Sequence, residues 1–274
     1  MASFAYWRRH VNQDLLADPL LAAALSPENV ESRCRSVGYR WRRSFWSPSI
    51  TLVTFILQVL SAEKTLRAAV AGLLTRLVAQ GWQSLPSADP AAYCQARQRL
   101  PGQVFTGLLA QTASRIRAEV KTEHRWLGHR VWIVDGSNAS MPDTPALQAV
   151  FPQSSSQKAG CGFPIAQIVA IFCWSTGAIM EVAIDALRPH ELSLFRRMGH
   201  HFQPGDVVLA DRAYGGYVDM ARLLGCGVDG VFRLHQGRSI DWRRGLRLER
   251  GDHLVTLHKP VQWQPSFGIG RRAF

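Results

Sequence analysis

The period of the hydrophobic pattern changes near residue 125, and this change restricts the fold more than any other feature of the chain. Before it, leucines and valines recur at helical spacing; Leu66, Val70 and Leu77 form one such stripe. After it, short apolar runs alternate with amphipathic segments. The sequence therefore predicts an α/β protein, with an all-helical region over residues 1–125 and a mixed sheet with flanking helices beyond it.

Two helices of the front region carry signals for their ends. Residues 61–81 are predicted to begin at Ser61 and to end at Gly81, because serine favours the cap before a helix and glycine the position after it. A shorter helix is predicted to begin with Pro90 at its first position and to stop at Pro101.

The second region is predicted to run strand, strand, strand, helix, strand, helix, strand. The first strand, VWIV at 131–134, leads into Asp135, and the fourth, VVLA at 207–210, leads into Asp211. Residues 163–187 are typical of a hairpin that turns on a Ser-Thr-Gly sequence. Beyond these elements, polar and apolar residues alternate around glycines, which indicates short β-hairpins.

The two aspartates form the strongest candidate site. In a mixed sheet of this order the first and fourth strands can lie side by side, which brings Asp135 and Asp211 together although 76 residues separate them. Adjacent carboxylates repel, and a divalent cation removes that cost. The alternative is that each aspartate is a turn residue that binds its own backbone.

The charge of the chain indicates an anionic partner. The formal net charge is +12 and most of the excess is arginine, which favours phosphate recognition. Residues 1–125 carry 16 basic and 8 acidic residues, so the helical region is the more basic part. A basic soluble protein without such a partner is the alternative.

Two arginine-rich segments are candidates for DNA contact. In residues 35–49, Arg40, Arg42 and Arg43 alternate with aromatic side chains that could stack on bases or, alternatively, join the core. In the predicted hairpins, Arg243 and Arg244 follow a tryptophan and could contact DNA.

Several stretches resemble a known family, the DDE transposases of the insertion sequence four (IS4) type, which have a ribonuclease H-like core. The resemblance covers most of the chain from about 35 to 260, and its most specific part is PGDVVLADRAYGGY. The other stretches are VDGS, GFPIAQIVAIF, ALRPHELSLFRRM and GVDGVFRLHQGR, with GYRWRRSFWSP and AYCQARQRLP in the front region.

The resemblance implies a mechanism and a site. Asp135 and Asp211 match the first two acidic residues and would be catalytic ligands of Mg²⁺ or Mn²⁺, and Arg212 would touch DNA phosphate. The implied activity is metal-dependent strand cleavage and joining on double-stranded DNA, at transposon ends and target, by a homodimer in a DNA complex. The implied segments are a helical DNA-binding region over 1–125, an incomplete catalytic core over 126–236, and the start of a β-rich insertion with an irregular tail over 237–274.

The sequence departs from the family after Asp211. The third acidic residue of the family is a glutamate in a Tyr-Arg-Glu-Lys helix, and none of the 63 residues after Asp211 predicts that helix. Glu249 lies in a predicted hairpin instead. We therefore expect a truncated copy that binds metal weakly and has little or no activity. A non-catalytic DNA-binding remnant that modulates an intact transposase, and a ribonuclease H-like nuclease of another purpose, are the alternatives.

The remaining features suggest where the protein acts. The five cysteines show no zinc-site spacing, so we expect reduced thiols. The longest apolar run, residues 50–60, is too short to span a bilayer. We therefore expect a soluble cytoplasmic protein, and the resemblance to the transposases implies a bacterial protein associated with the nucleoid.

Overall fold

A computed structural model describes residues 18–257 except 189, 235, 239, 242 and 244. The chain divides into two compact units between Arg115 and Ile116. The roles assigned above to the segments 1–125, 126–236 and 237–274 stay predictions.

The first unit is helical, as the sequence predicts. Its described helices are α1 (Pro19–Ala24), α2 (Pro27–Ser36), α3 (Pro48–Leu60), α4 (Leu66–Ala79), α5 (Ala91–Arg99) and α6 (Gly102–Glu119), the last of which crosses the division. Four of them follow a side-chain cap, because each preceding Asp, Ser or Thr accepts a hydrogen bond from the first turn; the caps are Asp18, Ser26, Ser47 and Thr65.

The predicted start of the helix over 61–81 is wrong. Ser61 ends α3 instead, and α4 begins at Leu66 because Thr65 accepts the N–H of Ala68 at 3.1 Å. Gly81 lies just past the end of α4 at φ +82°, where glycine is favoured. The shorter helix also begins one residue late, with Pro90 as its cap.

The aromatic residues of the segment 35–49 pack inward. Tyr39 and Trp41 lie against a core of α2, α3 and α6, and the ring of Trp46 is 5.0 Å from that of Tyr93. The core residues are Val30, Cys34, Leu52, Leu100, Val104 and Leu108. The structure therefore supports the alternative given above for these aromatic side chains, which is burial in the core.

The second unit is a five-stranded mixed sheet with flanking helices, which confirms the predicted fold class. The strands are β1 (Val131–Ser140), β2 (Ile165–Cys173), β3 (Ile179–Ala186), β4 (Val207–Ala210) and β5 (Asp229–Phe232), in the order β3-β2-β1-β4-β5. The helices are α7 (Pro145–Val150), α8 (Glu191–Arg197) and α9 (Tyr217–Gly225), with 3₁₀ turns at Thr122–His124 and Met198–His201. The element order and the sheet are consistent with a ribonuclease H-like fold.

Both predicted kinds of hairpin are present. Strands β2 and β3 are antiparallel and turn at Gly177, which has φ +69°. Strands β6 (Leu246–Glu249) and β7 (Asp252–Leu254) form a separate antiparallel pair. The predicted strands and helices of this unit are present in the predicted order, but the short helix α7 between β1 and β2 is an element that the predicted order lacks.

The two faces of the sheet differ in cover. Trp132 and Val134 point towards the helices and are buried, and the ring of Trp132 lies 4.7 Å from that of His201. Among the described residues, the opposite face stays partly open, with Leu209 half-buried and Val231 49% exposed. Successive side chains of a strand point to opposite faces of the sheet, so Asp135, which follows Val134 on β1, belongs to the open face.

None of the described helices is long and apolar enough to cross a bilayer. The five cysteines are free thiols in the structure, and their reduced state stays a prediction.

Candidate active site

The structure places Asp135 and Asp211 on neighbouring strands. Strands β1 and β4 are parallel and pair Val134 with Ala210, so the two aspartates occupy the next position of each chain. Paired strands lie about 4.8 Å apart. Both aspartates are exposed, which makes them accessible to a large substrate.

Asp135 does not end its strand, contrary to the prediction. Strand β1 continues to Ser140 because β2 pairs with it antiparallel from Trp132 to Ser140, including Asp135 with Ala170. Strand β4, by contrast, ends at Ala210, directly before Asp211. The site therefore lies where β1 loses its parallel neighbour.

Each aspartate also binds nearby backbone, as the alternative interpretation requires. Asp135 Oδ1 accepts the N–H of Gly136 at 2.9 Å, and Asp211 Oδ1 accepts the N–H of Ala213 at 2.8 Å. The second oxygen of each makes no hydrogen bond within the described ranges. Each carboxylate can therefore serve the local backbone and still offer an oxygen to a ligand.

The two carboxylates are a type of donor that fits a divalent metal ion. Carboxylate oxygens are the hard ligands that Mg²⁺ prefers, and this ion usually keeps several waters. Across the part of the chain that the structure describes, no group of three or more His, Cys, Asp or Glu side chains is arranged to hold a metal ion. Glu249 lies in the exposed strand β6.

Two residues that the sequence reasoning gave no role lie beside the aspartates. Tyr214 is 1% exposed, and its hydroxyl donates a hydrogen bond to Glu191 Oε1. Burial raises the pKa of Tyr214, and the negative charges of Glu191, Asp135 and Asp211 raise it further. The tyrosine of DRAY and the glutamate of PHEL were both visible, but nothing in the sequence pairs them.

The predicted DNA-contacting arginines in the second unit differ in their surroundings. Arg212 is exposed, and its Nη1 donates to Gln236 Oε1 at 3.0 Å. Arg243 is exposed beside Asp241 Oδ1, which accepts its backbone N–H. Arg244 lies outside the described residues. In the first unit, Arg40, Arg42 and Arg43 are all exposed.

A buried carboxylate holds the start of β4 against β1. Asp206 is 0% exposed and accepts from Arg130 Nε at 2.7 Å and Trp132 Nε1 at 2.8 Å. The backbone N–H of Gln203 donates to it at 2.9 Å. These bonds fix the pairing of the two strands that carry the site.

The sheet is consistent with a ribonuclease H-like fold, and it carries one aspartate on β1 and a second directly after the parallel strand β4. The transposase DDE domain matches residues 126–266, more than half of the chain. The chain therefore belongs to the transposase DDE domain family, as the resemblance to IS4-type transposases indicates.

A curated relative agrees with this assignment. Transposase InsG for insertion sequence element IS4, from Escherichia coli strain K12, is 25% identical over 192 residues. The match covers 68% of this chain and 42% of the relative. The chain thus spans less than half the length of that protein.

Proposed function

We propose that this chain acts on DNA as an IS4-type transposase, by metal-dependent strand cleavage and joining at transposon ends. The observation that carries the proposal is the adjacency of Asp135 on β1 and Asp211 directly after the parallel strand β4. The family membership supports the same chemistry.

Asp135 and Asp211 would hold Mg²⁺ or Mn²⁺ through their carboxylate oxygens. When bound, such an ion supplies activation of a water or a DNA 3′-hydroxyl and neutralises charge at phosphorus. The chain itself contributes the orientation of the two carboxylates. The exposed guanidinium of Arg212, one residue from Asp211, would contact a DNA phosphate near the site.

The wider DNA contact would come from exposed arginines. Arg40, Arg42 and Arg43 project from the segment between α2 and α3 while their aromatic neighbours face the core. Arg243 would add a contact from the region before β6, and Arg244 would add another although it lies outside the described residues. We further propose double-stranded transposon ends and target DNA as partners, a homodimer in the DNA complex, and association with the bacterial nucleoid.

The test is Mg²⁺- or Mn²⁺-dependent nicking of DNA that carries transposon ends. We expect Asp135→Asn and Asp211→Asn each to reduce nicking to the background, because each removes a charged metal ligand. Asp252→Asn is the matched control, since it removes the same charge from the exposed strand β7. Equal nicking by the wild type and both site variants would refute the assignment.

A second candidate is a non-catalytic DNA-binding protein that modulates an intact transposase. It is favoured because, among the described residues, no group of three or more His, Cys, Asp or Glu side chains is arranged to hold a metal ion. It predicts salt-sensitive DNA binding by the wild type without any metal-dependent nicking. Nicking that requires Asp135 would exclude it.

A further inference from the structure

The carboxylate of Glu191 occupies the space beside Gly136, the residue after Asp135. A Cβ added to Gly136 would lie well under 3.0 Å from Glu191 Oε1 and Cδ. Gly136 is not among the glycines with positive φ, so no turn conformation requires a glycine at this position. The close approach of Glu191 requires it instead.

The same carboxylate is tied to the turn that carries Asp211. Glu191 Oε1 accepts the hydroxyl of Tyr214, and the amide Nε2 of the buried Gln167 lies 3.5 Å from Oε2. The backbone N–H of Tyr214 donates to the carbonyl of Asp211 at 3.3 Å. The ring of Tyr214 packs edge-on against Phe195 of α8 at 5.2 Å.

We propose that Glu191 and Tyr214 form a positioning pair that links the Asp211 turn to the Asp135–Gly136 segment and so sets the spacing of the two catalytic carboxylates. The inference rests on the proposed function. Glu191 lies on the helix-covered face of the sheet, whereas Asp135 belongs to the open face. The pair therefore acts through the aspartates and is not itself a metal ligand.

This role gives a physical reason for two residues of the sequence motifs. The glycine of VDGS leaves room for the carboxylate, and the tyrosine of DRAY reaches it from the neighbouring strand end. Partners of metal ligands typically change metal affinity by 10- to 100-fold when they are altered. A weakly held ion is especially sensitive to such a change in ligand spacing.

The test is Mn²⁺ binding to the full chain, followed by electron paramagnetic resonance. We expect Tyr214→Phe and Glu191→Gln each to weaken binding about 10-fold or more. The variant that carries both changes should bind Mn²⁺ no more weakly than whichever single variant binds it less well, because both changes break the same Glu191–Tyr214 hydrogen bond. Gly136→Ala should have the same effect, since its methyl group displaces the flexible Glu191 side chain while both partners stay unchanged.

Matched controls come from similar groups elsewhere in the chain. Tyr93→Phe removes a buried hydroxyl that donates to Gln58 Oε1 at 2.7 Å in the helical unit. Glu181→Gln neutralises a half-buried carboxylate of β3. We expect both to bind Mn²⁺ as the wild type does.

The outcomes separate this inference from the proposed function. If Asp135→Asn abolishes binding while Tyr214→Phe, Glu191→Gln and Gly136→Ala bind like the wild type, the pair has no positioning role and the metal site stands. If Asp135→Asn binds like the wild type, or the wild type binds no Mn²⁺, both proposals fail. Excess Mn²⁺ should restore nicking in Glu191→Gln but not in Asp135→Asn. An unfolded Glu191→Gln variant would not be restored by added metal, so this result distinguishes weakened metal binding from loss of structure.

Discussion

At the scale of single residues, His201 is a buried group whose protonation destabilises the folded state. Its side chain is 11% exposed and its Nδ1 lies 3.3 Å from Glu181 Oε2. Its Nε2 is buried without a hydrogen-bond partner among the described residues. Burial, followed by the charge of Arg117, lowers its pKa from 6.5 to about 4, although the charge of Asp206 acts in the opposite direction. The native state therefore holds His201 neutral at pH values where the unfolded chain protonates it.

We predict that the free energy of unfolding falls as the pH drops from about 6.5 to about 4. The free energy falls because the pKa of His201 is lower in the folded state than in the unfolded state. Between these two pH values the unfolded state therefore binds more protons. His201→Phe keeps a ring against Trp132 and should reduce this loss, as measured by urea unfolding at several pH values. His200→Phe is the control, since His200 is 70% exposed and packs on the same Glu181. An identical pH profile for His201→Phe and the wild type would contradict the prediction.

At the scale of elements, the bonds of Asp206 hold β4 against β1. We predict that Asp206→Ala lowers the free energy of unfolding by about 3 kcal/mol, because it leaves the Trp132 N–H and the Arg130 guanidinium without their buried acceptor. Equilibrium unfolding in urea measures the loss. Asp185→Ala is the control, because its ion pair with Arg197 is accessible to solvent and should contribute less than about 1 kcal/mol. Equal losses in the two variants would show that burial does not strengthen the contact.

At the scale of the whole molecule, the net charge of +12 predicts that salt weakens DNA binding. Replacing Arg40, Arg42 and Arg43 by Gln should reduce the slope of log affinity against log salt by about 2 to 3, since each phosphate contact contributes about 0.9. Fluorescence anisotropy over a salt series measures this slope.

The control for the salt series removes equal charge elsewhere in the helical unit. It replaces three other exposed arginines of that unit by Gln, namely Arg67, Arg76 and Arg115. A smaller change in slope for this control than for the first triple variant would locate the contact at the segment between α2 and α3. Equal changes in the slope for both triple variants would mean that DNA binding depends only on the overall charge of the chain.

Local signals predicted much of the fold. The hydrophobic period separated helical from strand segments, and the Ser-Thr-Gly sequence predicted the turn between β2 and β3. The start of α4 was missed because Ser61 and Thr65 are both good caps, and only the end of α3 decides between them. The length of β1 was missed because a strand continues as long as a neighbour pairs with it.

The sequence by itself determined the order of the five strands and of helices α8 and α9, the apolar strands that lead into Asp135 and Asp211, and the basic character of the chain, because these are properties of residues close together in the chain. Only the tertiary structure decided that the aromatic side chains between α2 and α3 face the core, and that Glu191 meets Tyr214 beside Gly136. Such contacts depend on which face of a strand or helix meets which neighbour. That choice is fixed by packing across the sheet and is encoded by no single segment.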